Sequence, residues 1–402
     1  MADRIVIIGA GQAAAQAVAT LRAEGFDGRL TVVGDEAFPP YQRPPLSKTY
    51  LMGTFERERL FLKPDVFYTE AKCELILGVA ATNIDRIGKM VALSDDGLLA
   101  YDKLLIATGS RVRPMRVTGV DLKNIFYLRS IADVDAMRPH FAAGKKIAVV
   151  GAGYIGLEVA AVARKAGMYV TVFEAMDRVM ARAVSRPISA FYEQVHRDAG
   201  VVFHLNTGVE AFEGAGVINA VRAGGQSYPC DLALVGIGIV PNCELAIDAG
   251  LKCEDGIWVD PHCATSDPAI FAAGDVTRHH GRDGNLIRLE CVQNAIDQAK
   301  HAALAMAGKP TAYSEVPWFW SDQYDLKLQI AGLAHPEDKM VMRGDPAARK
   351  FAVFHLRDGK VAAVEAVNAA PEYIVGRKLI HDGASVAPER LADTAISMKN
   401  IA

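Results

Sequence analysis

Short apolar runs that end in glycine loops recur along this chain. Residues 5–8 are uniformly apolar, as in a strand buried on both faces, and the loop GAGQAA follows them. Residues 147–150 repeat the pattern before the loop GAGYIG. Each loop is followed by a helical stretch and then by a second apolar strand. That strand lies at residues 30–33 after the first loop and at residues 169–173 after the second. The pattern predicts two βαβ units and therefore parallel sheets.

The last part of the chain has a different pattern. Residues 327–333 and 350–356 are predicted as strands. Asp358 and Gly359 form a hairpin signal that leads into a further strand at 361–367. Residues 371–380 are predicted as a helix that Gly383 closes. We therefore expect an antiparallel sheet with a small helix at this end.

Composition narrows the class of protein. The chain has 402 residues, of which 51% are hydrophobic and 23% charged, and its net charge is −3. This length is enough for two or three domains, and the nearly balanced charge argues against nucleic acid as a partner. The longest apolar stretch, residues 147–163, is interrupted by glycines and by Glu158. We therefore expect a cytoplasmic protein with no membrane partner and no signal peptide.

The first loop has the chemistry of a pyrophosphate site. Gly9 permits a tight turn, Gly11 lets the backbone approach a phosphate, and the small Ala14 lets the helix pack against the strand. The free N–H groups at the start of the helix favour an anion. Asp35 and Glu36 follow the next strand, where a carboxylate accepts hydrogen bonds from ribose hydroxyls.

The second loop repeats this arrangement with Gly151, Gly153 and Gly156. Glu174 ends the next strand, at about the expected ~20 residues beyond the loop. A carboxylate there favours NADH, because it repels the 2′-phosphate of NADPH. Two arginines lie a little further on, Arg178 and Arg182, so NADPH stays open as an alternative.

Two further strands end in small residues, YDKLLIATG at 101–109 and TSDPAIFAAGD at 265–275. In this order, the four segments resemble the flavoprotein reductases that bind two dinucleotides. The resemblance implies an α/β fold with two Rossmann-like domains of the glutathione-reductase type and a C-terminal α+β interface domain. It places an FAD-binding domain at 1–113 and 243–318, an inserted NADH-binding domain at 114–242, and the interface domain at 319–402.

The cysteines distinguish between branches of that superfamily. None of the six forms a CxxC pair, and residues 38–51, where disulfide reductases and NADH peroxidases carry redox-active cysteines, contain none. Residues 147–242 contain only Cys230. The sequence therefore predicts that no thiol relay follows the flavin and that electrons pass to an external acceptor.

The stretch PYQRPPLSK at 40–48 resembles the ferredoxin reductases that serve Rieske oxygenases and haem monooxygenases. Further matching stretches are FYLRS (126–130), GIGIVPN (236–242), GDVTR (274–278) and VPWFWSDQ (316–323). The resemblance implies hydride transfer from NADH to FAD, followed by single-electron transfers to a two-iron two-sulfur ferredoxin.

The resemblance also implies site residues. The catalytic candidates are Lys48, near the reactive edge of the flavin, Glu158, near the nicotinamide, and Trp320. The other FAD candidates are Gly9, Gly11, Ala14, Asp35, Glu36, Arg43, Ala107, Thr108, Gly109, Arg129, Gly274, Asp275 and Val292. The other NADH candidates are Gly151, Gly153, Ile155, Gly156, Glu174, Arg182 and Gly238. Glu158 is expected in the first turn of its helix, and no metal site is expected.

The acceptor itself leaves alternatives open. Candidate cations for an acidic ferredoxin are Arg111, Arg113, Arg116 and the RHHGR loop at 278–282, although these are also ordinary solvated charges. The alternative acceptors to a ferredoxin are rubredoxin, a small quinone or a radical such as monodehydroascorbate. A redox-sensing flavoprotein is an alternative of another class. We expect a monomer or a weak homodimer.

Overall fold

The first predicted strand forms the centre of a parallel sheet in the computed structural model, which describes residues 3–401. Arg4–Ile8 pairs with Arg29–Gly34 on one side and with Lys103–Ile106 on the other. The order across this sheet is Ile270–Ala272, Lys103–Ile106, Arg4–Ile8, Arg29–Gly34 and Cys73–Leu77. All four pairings are parallel, as the continuous apolar runs predict.

The second predicted strand repeats this architecture. Lys146–Val150 lies between Tyr169–Phe173 and Leu232–Val235, again in parallel. The order across the sheet is Val201–His204, Tyr169–Phe173, Lys146–Val150, Leu232–Val235 and Ile125–Phe126. The prediction of two Rossmann-like sheets is therefore confirmed.

The chain divides into two compact units. Unit 1 contains residues 3–42, 57–111 and 240–317, and unit 2 contains residues 43–56, 112–239 and 318–401. The first parallel sheet belongs to unit 1, and the second belongs to unit 2. The finer division into FAD, NADH and interface domains stays a prediction. Two short strands, Ser110–Val112 and Ile239–Pro241, span positions where the chain passes between the units.

Unit 1 surrounds its sheet with helices and two small sheets. Its helices are Gln12–Ala23, Asp65–Glu70, Glu244–Asp248, Val292–Met306 and the 3₁₀ turn Arg57–Leu60. One small sheet is Ala81–Asp85, Met90–Leu93 and Leu98–Ala100, and the other is Ile257–Trp258, Thr277–His280 and Leu286–Ile287. The sequence analysis did not predict these two sheets.

Unit 2 contains the remaining helices. They are Ile131–Met137, Tyr154–Lys165, Arg186–Asp198, Ala370–Asp382, Pro388–Ala392 and the 3₁₀ turns Pro44–Ser47, Arg138–His140 and Met398–Asn400. A three-stranded antiparallel sheet is formed by Val209–Gly214, Ile218–Ala223 and Gln226–Pro229.

The C-terminal part of unit 2 is a five-stranded antiparallel sheet covered by a helix. Its order is Trp318–Gln323, Leu326–Gly332, Lys360–Val367, Lys350–Arg357 and Lys339–Asp345. Asp358 and Gly359 have φ of 51° and 75° and make the predicted hairpin turn. The helix Ala370–Asp382 packs closely because Gly376 has no side chain: a Cβ there would stand 2.7 Å from Val364 Cγ1. The edge strand 339–345 was not predicted.

Each parallel sheet has one point where neighbouring loops approach closely. A Cβ on Gly9 would stand 2.2 Å from the Ala107 carbonyl oxygen, and a Cβ on Gly151 would stand 2.4 Å from that of Gly236. Both glycines have positive φ, 106° and 98°. These contacts lie where the chain returns to the other side of the first strand, which is where open α/β sheets bind ligands.

Among residues 3–401, no helix combines the length and the hydropathy that a transmembrane span requires.

We expect Gly156→Ala to destabilise unit 2. Alanine favours a helix by about 1 kcal/mol over glycine, yet a Cβ at this position would stand 2.1 Å from the Gly151 carbonyl oxygen. Backbone crowding of this kind costs about 1–3 kcal/mol. Thermal unfolding of the purified variants checks this, with Gly153→Ala as the control because its Cβ meets open space. An unchanged melting temperature for Gly156→Ala would contradict the packing described.

Candidate functional site

The first glycine loop leaves open space in front of a helix. The helix Gln12–Ala23 begins after Gly11, and within residues 3–401 no side chain caps its first N–H groups. Gly11 has φ −110°, which any residue adopts. No heavy atom of the described chain, its neighbours aside, lies within 4 Å of the place where its Cβ would stand. The space and the free donors fit a pyrophosphate.

The second loop has the same combination. The helix Tyr154–Lys165 begins after Gly153, which has an ordinary φ of −77° and, in the described part of the chain, no atom within 4 Å of a Cβ position. Gly156 is packed against the backbone instead. Ile155 is 41% exposed in the first turn. Both loops therefore combine a closed glycine, which packs backbone, with an open glycine, which leaves room for a ligand.

The acids predicted to bind ribose lie at the ends of the second strands. Glu174 follows Tyr169–Phe173, and its two carboxylate oxygens accept hydrogen bonds from the Ala152 and Met176 N–H groups at 2.7 and 2.8 Å. This carboxylate therefore stands beside the second glycine loop. In unit 1, Asp35 is exposed, and Glu36 accepts a short hydrogen bond from the Tyr41 hydroxyl.

Arg182 lies beside the second loop region. Its guanidinium is 3.6 Å from the place where a Cβ of Gly238 would stand. Arg178 is used differently, because it donates to the carbonyls of Val184 and Ala181 at 2.9 and 2.7 Å. The structure thus brings the two predicted NADH residues Arg182 and Gly238 together. Arg178 instead stabilises its own loop.

The turn at 107–109 is fixed by a residue to which sequence analysis gave no role. Asn242 donates from Nδ2 to the Thr108 carbonyl at 2.9 Å, and its own carbonyl accepts from Thr108 Oγ1 at 2.8 Å. The Asn242 N–H donates to the Gly109 carbonyl at 3.0 Å. Asn242 is the last residue of GIGIVPN, so the motif pointed to the segment without giving the contact.

The Gly274–Asp275 turn also has partners that the sequence did not reveal. Gln298 is fully buried and accepts from the Gly274 N–H and from Thr277 Oγ1, both at 2.8 Å. Ser110 Oγ donates to Asp275 Oδ2 at 2.8 Å. Val292 begins the helix Val292–Met306, on which Gln298 lies, so Gln298 ties this helix to the predicted ribityl-binding turn.

Unit 2 contains a buried charged cluster around Glu158, which is 3% exposed. Lys48 Nζ lies 2.7 Å from its Oε2, and Ser47 Oγ donates to the same oxygen at 2.5 Å. Ser321 Oγ donates to Oε1 at 2.6 Å. The prediction that Glu158 lies in the first turn of its helix was wrong: the helix begins at Tyr154, so Glu158 is in the second turn. Its partners are therefore side chains and not the helix end.

Three other FAD candidates lie in unit 2. Arg43 donates to the Arg129 carbonyl at 2.6 Å, so the structure brings these two predicted FAD residues together. Trp320 is half-buried, with ring centroids 5.5 Å from Trp318 and 6.4 Å from Phe319. The predicted FAD residues thus fall in both units, with Arg43, Lys48, Arg129 and Trp320 in unit 2 and the rest in unit 1.

The cysteines have the properties of buried structural thiols. All six lie within residues 3–401 and are free. Burial raises the pKa of each thiol, to about 12 for Cys73, Cys230 and Cys243 and to about 11 for Cys291. Burial also raises the pKa of Cys253 and Cys263. A thiol with such a pKa is a poor nucleophile at neutral pH, which argues against a sulfur intermediary.

Comparison of the chain with models of known protein families shows to which family it belongs. Residues 3–303 match the model described as pyridine nucleotide-disulphide oxidoreductase, and residues 318–402 match the one described as reductase C-terminal. The chain belongs to the pyridine nucleotide-disulphide oxidoreductase family. This membership confirms the resemblance inferred from the loops, together with the two dinucleotide-binding folds and the added C-terminal domain.

Several similar proteins are named as ferredoxin reductases. The probable ferredoxin reductase CtmF of Castellaniella defragrans is 44% identical, over 100% of this chain and 99% of that protein. The anthranilate 1,2-dioxygenase system ferredoxin–NAD(+) reductase component of Burkholderia cepacia is 40% identical over 99% of each. In the covalent putidaredoxin reductase–putidaredoxin complex, a chain matches with a TM-score of 0.97 and 40% identity, over 99% of this chain and 98% of that one.

We expect Gly153→Ala to fold normally and to bind NADH more weakly. The backbone tolerates alanine there, and the added methyl group enters the space that the pyrophosphate needs. A rise of about tenfold in KM for NADH corresponds to ~1.4 kcal/mol. Steady-state kinetics with a dye acceptor measures this.

Gly11→Ala is the matched variant in unit 1, where we expect the substitution to weaken the binding of FAD instead of NADH. We expect the purified Gly11→Ala protein to carry less flavin per chain, while Gly153→Ala keeps its flavin. Full flavin content in Gly11→Ala, or an unchanged KM in Gly153→Ala, would show that these spaces are not ligand sites.

Proposed function

We propose that this protein is an NADH-dependent ferredoxin reductase of an oxygenase system. It takes two electrons from NADH and delivers them singly to a two-iron two-sulfur ferredoxin. The observation that carries the proposal is the pair of open glycine loops, one in each unit, together with six free thiols whose pKa is raised by burial, four of them in buried residues. Family membership and the named ferredoxin reductases support it.

Each of the two loops binds one of the two cofactors. The first loop, with Gly11 and the free N–H groups of its helix, holds the FAD pyrophosphate, and the second, with Gly153, holds that of NADH. Glu174 binds the NADH ribose and disfavours NADPH. FAD, when bound, accepts a hydride and releases electrons one at a time. The protein supplies binding, orientation and charge.

The charged groups of unit 2 orient the reaction. Lys48 carries the positive charge that favours a reduced, anionic acceptor, and Glu158 fixes the position of that ammonium group through its 2.7 Å contact. Arg43 is held by the Arg129 carbonyl, so its guanidinium has a fixed direction. No side chain acts as a nucleophile.

Electrons leave through a transient complex with the ferredoxin. The loop 278–282 of unit 1 was predicted to dock an acidic partner, and the structure corrects part of that prediction. His279 is buried, and burial lowers its pKa to about 4, so it is neutral at physiological pH. His280 and Arg282 are exposed and remain candidates. Arg278 and Arg111 have acidic neighbours already, Glu254 and Glu244.

We also propose a cytoplasmic location, where NADH is available and thiols stay reduced. A monomer or a weak homodimer remains our prediction.

We expect anaerobic titration with NADH to reduce the protein fully with one NADH per FAD. A family member with a redox-active disulfide takes up two further electrons, and this chain has no thiol suited to that role. Absorbance at the flavin band, with NADH added in steps, measures the stoichiometry. Uptake of two NADH per FAD would contradict a direct path to an external carrier.

The acceptor is tested separately by stopped flow. The NADH-reduced protein should reduce an oxygenase-system ferredoxin faster than it reduces rubredoxin or a quinone. Faster reduction of either of these would overturn the ferredoxin assignment while leaving the flavoprotein reductase intact.

We expect Arg282→Glu to slow ferredoxin reduction about tenfold at low salt and to leave dye reduction unchanged, because charge reversal at a docking surface acts mainly on association. Lys123→Glu, an exposed charge reversal in unit 2, is the control. Equal loss with ferredoxin and with the dye would show that loop 278–282 does not dock the partner.

A further inference from the structure

A buried row of polar side chains in unit 2 leads away from Glu158. Ser321 and Gln323 lie on the strand Trp318–Gln323 and are 0% and 1% exposed. His196, on the helix Arg186–Asp198, is also 0% exposed, and Tyr324 follows the strand. Buried polar groups are costly unless they are hydrogen-bonded, so a row of this kind needs an explanation.

The row is continuous. Ser321 Oγ lies 2.6 Å from Glu158 Oε1 and 3.2 Å from Gln323 Nε2. Gln323 Oε1 lies 2.8 Å from His196 Nε2, and His196 Nδ1 lies 3.2 Å from the Tyr324 hydroxyl. Four hydrogen bonds thus connect Tyr324 with the carboxylate.

Each hydrogen bond in this row has a direction that the carboxylate imposes. An ionised carboxylate only accepts, so Ser321 donates to Glu158 and must itself accept from the amide NH₂ of Gln323. The amide oxygen of Gln323 then faces His196 and accepts from its Nε2–H. His196 Nδ1 is left to accept from the Tyr324 hydroxyl. All four bonds therefore point toward Glu158.

The state of His196 agrees with this direction. Burial lowers the pKa of His196 to about 4, an effect that its hydrogen bond with Gln323 partly opposes. A neutral imidazole carries one N–H, so the row fixes its tautomer as Nε2–H. The row does not conduct protons, because a shift through Gln323 would leave an imidic acid. It aligns dipoles toward a charge, and such bonds strengthen one another.

We propose that Ser321, Gln323, His196 and Tyr324 are positioning residues that hold the Glu158 carboxylate in a fixed orientation, so that the C-terminal domain sets the geometry of the nicotinamide site. The inference rests on the proposed function for the role of Glu158. Lys48 and Ser47 serve one carboxylate oxygen, and Ser321 serves the other. The C-terminal domain therefore contributes the contact that fixes the rotation of the carboxylate.

Charged and titratable groups on the neighbouring elements share this environment. They are Lys48 after the 3₁₀ turn Pro44–Ser47, Tyr154 on the helix of Glu158, Tyr192 on the helix of His196 and Asp322 on the strand of Ser321. Burial raises the pKa of both tyrosines, so they stay neutral. Lys48 is thus the positive partner of the carboxylate.

The first test reads the tautomer in the oxidised holoenzyme. Protein labelled with ¹⁵N-histidine should show His196 protonated at Nε2 and unprotonated at Nδ1, and the assignment is made by loss of its signals in His196→Phe. The opposite tautomer, or a ring protonated on both nitrogens at neutral pH, would overturn the inferred direction. This readout is made on the wild-type protein and does not depend on turnover.

The second test separates positioning from folding. Ser321→Ala should slow hydride transfer from NADH about tenfold, since a hydrogen bond to a charged group is lost, while the Kd for NADH changes less than about twofold. Gln323→Leu should give a smaller decrease. Tyr192→Phe is the control, because its buried hydroxyl has no hydrogen-bond partner among residues 3–401. Stopped-flow flavin absorbance measures both constants.

The outcomes distinguish this inference from the proposed function. If wild-type flavin is not reduced by NADH, the proposed function fails. If the wild type is reduced and Ser321→Ala transfers hydride at the same rate, or loses rate only as much as Tyr192→Phe, the positioning role fails and the proposed function stands.

Discussion

The structure depends on a close backbone contact that recurs in the two parallel sheets. Gly9 meets the Ala107 carbonyl, and Gly151 meets that of Gly236, at distances that exclude any side chain. This contact turns the chain sharply at the end of a buried strand and points the following helix at the sheet edge. Two residues on, Gly11 and Gly153 face open space. The tight glycine therefore creates the position from which the open glycine can accept a phosphate.

The repeated loop explains why one chain handles two nucleotides. In the proposed function, one site holds the group that is reduced, and the other holds the group that reduces it. The redox-active thiols that many members of this family use next have no counterpart at residues 38–51, and burial raises the pKa of the cysteines that are present, such as Cys230. Electrons therefore leave directly to an external carrier, which agrees with the ferredoxin in the names of the similar proteins.

The Glu158 cluster connects parts of unit 2 that are far apart in the sequence. Its donors come from the segment 43–56 and from the strand Trp318–Gln323, while Glu158 itself lies on the second Rossmann helix. A buried carboxylate needs such partners, because burial without them is strongly unfavourable. The C-terminal domain consequently does more than cover a sheet: it completes the hydrogen bonding of a charged group that the resemblance places near the nicotinamide.

The sequence by itself determined the two glycine loops, the parallel strands around them and the C-terminal hairpin, because these follow from local rules of turn geometry and apolar periodicity. It also determined that no cysteine pair is available. Only the tertiary structure revealed Asn242, Gln298 and Ser321 as supports of the predicted sites, since their partners are 24 to 163 residues away. The tertiary structure also showed that His279 is buried and that Glu158 lies in a cluster of side chains. Such contacts depend on which buried polar groups meet, and no local pattern encodes that meeting.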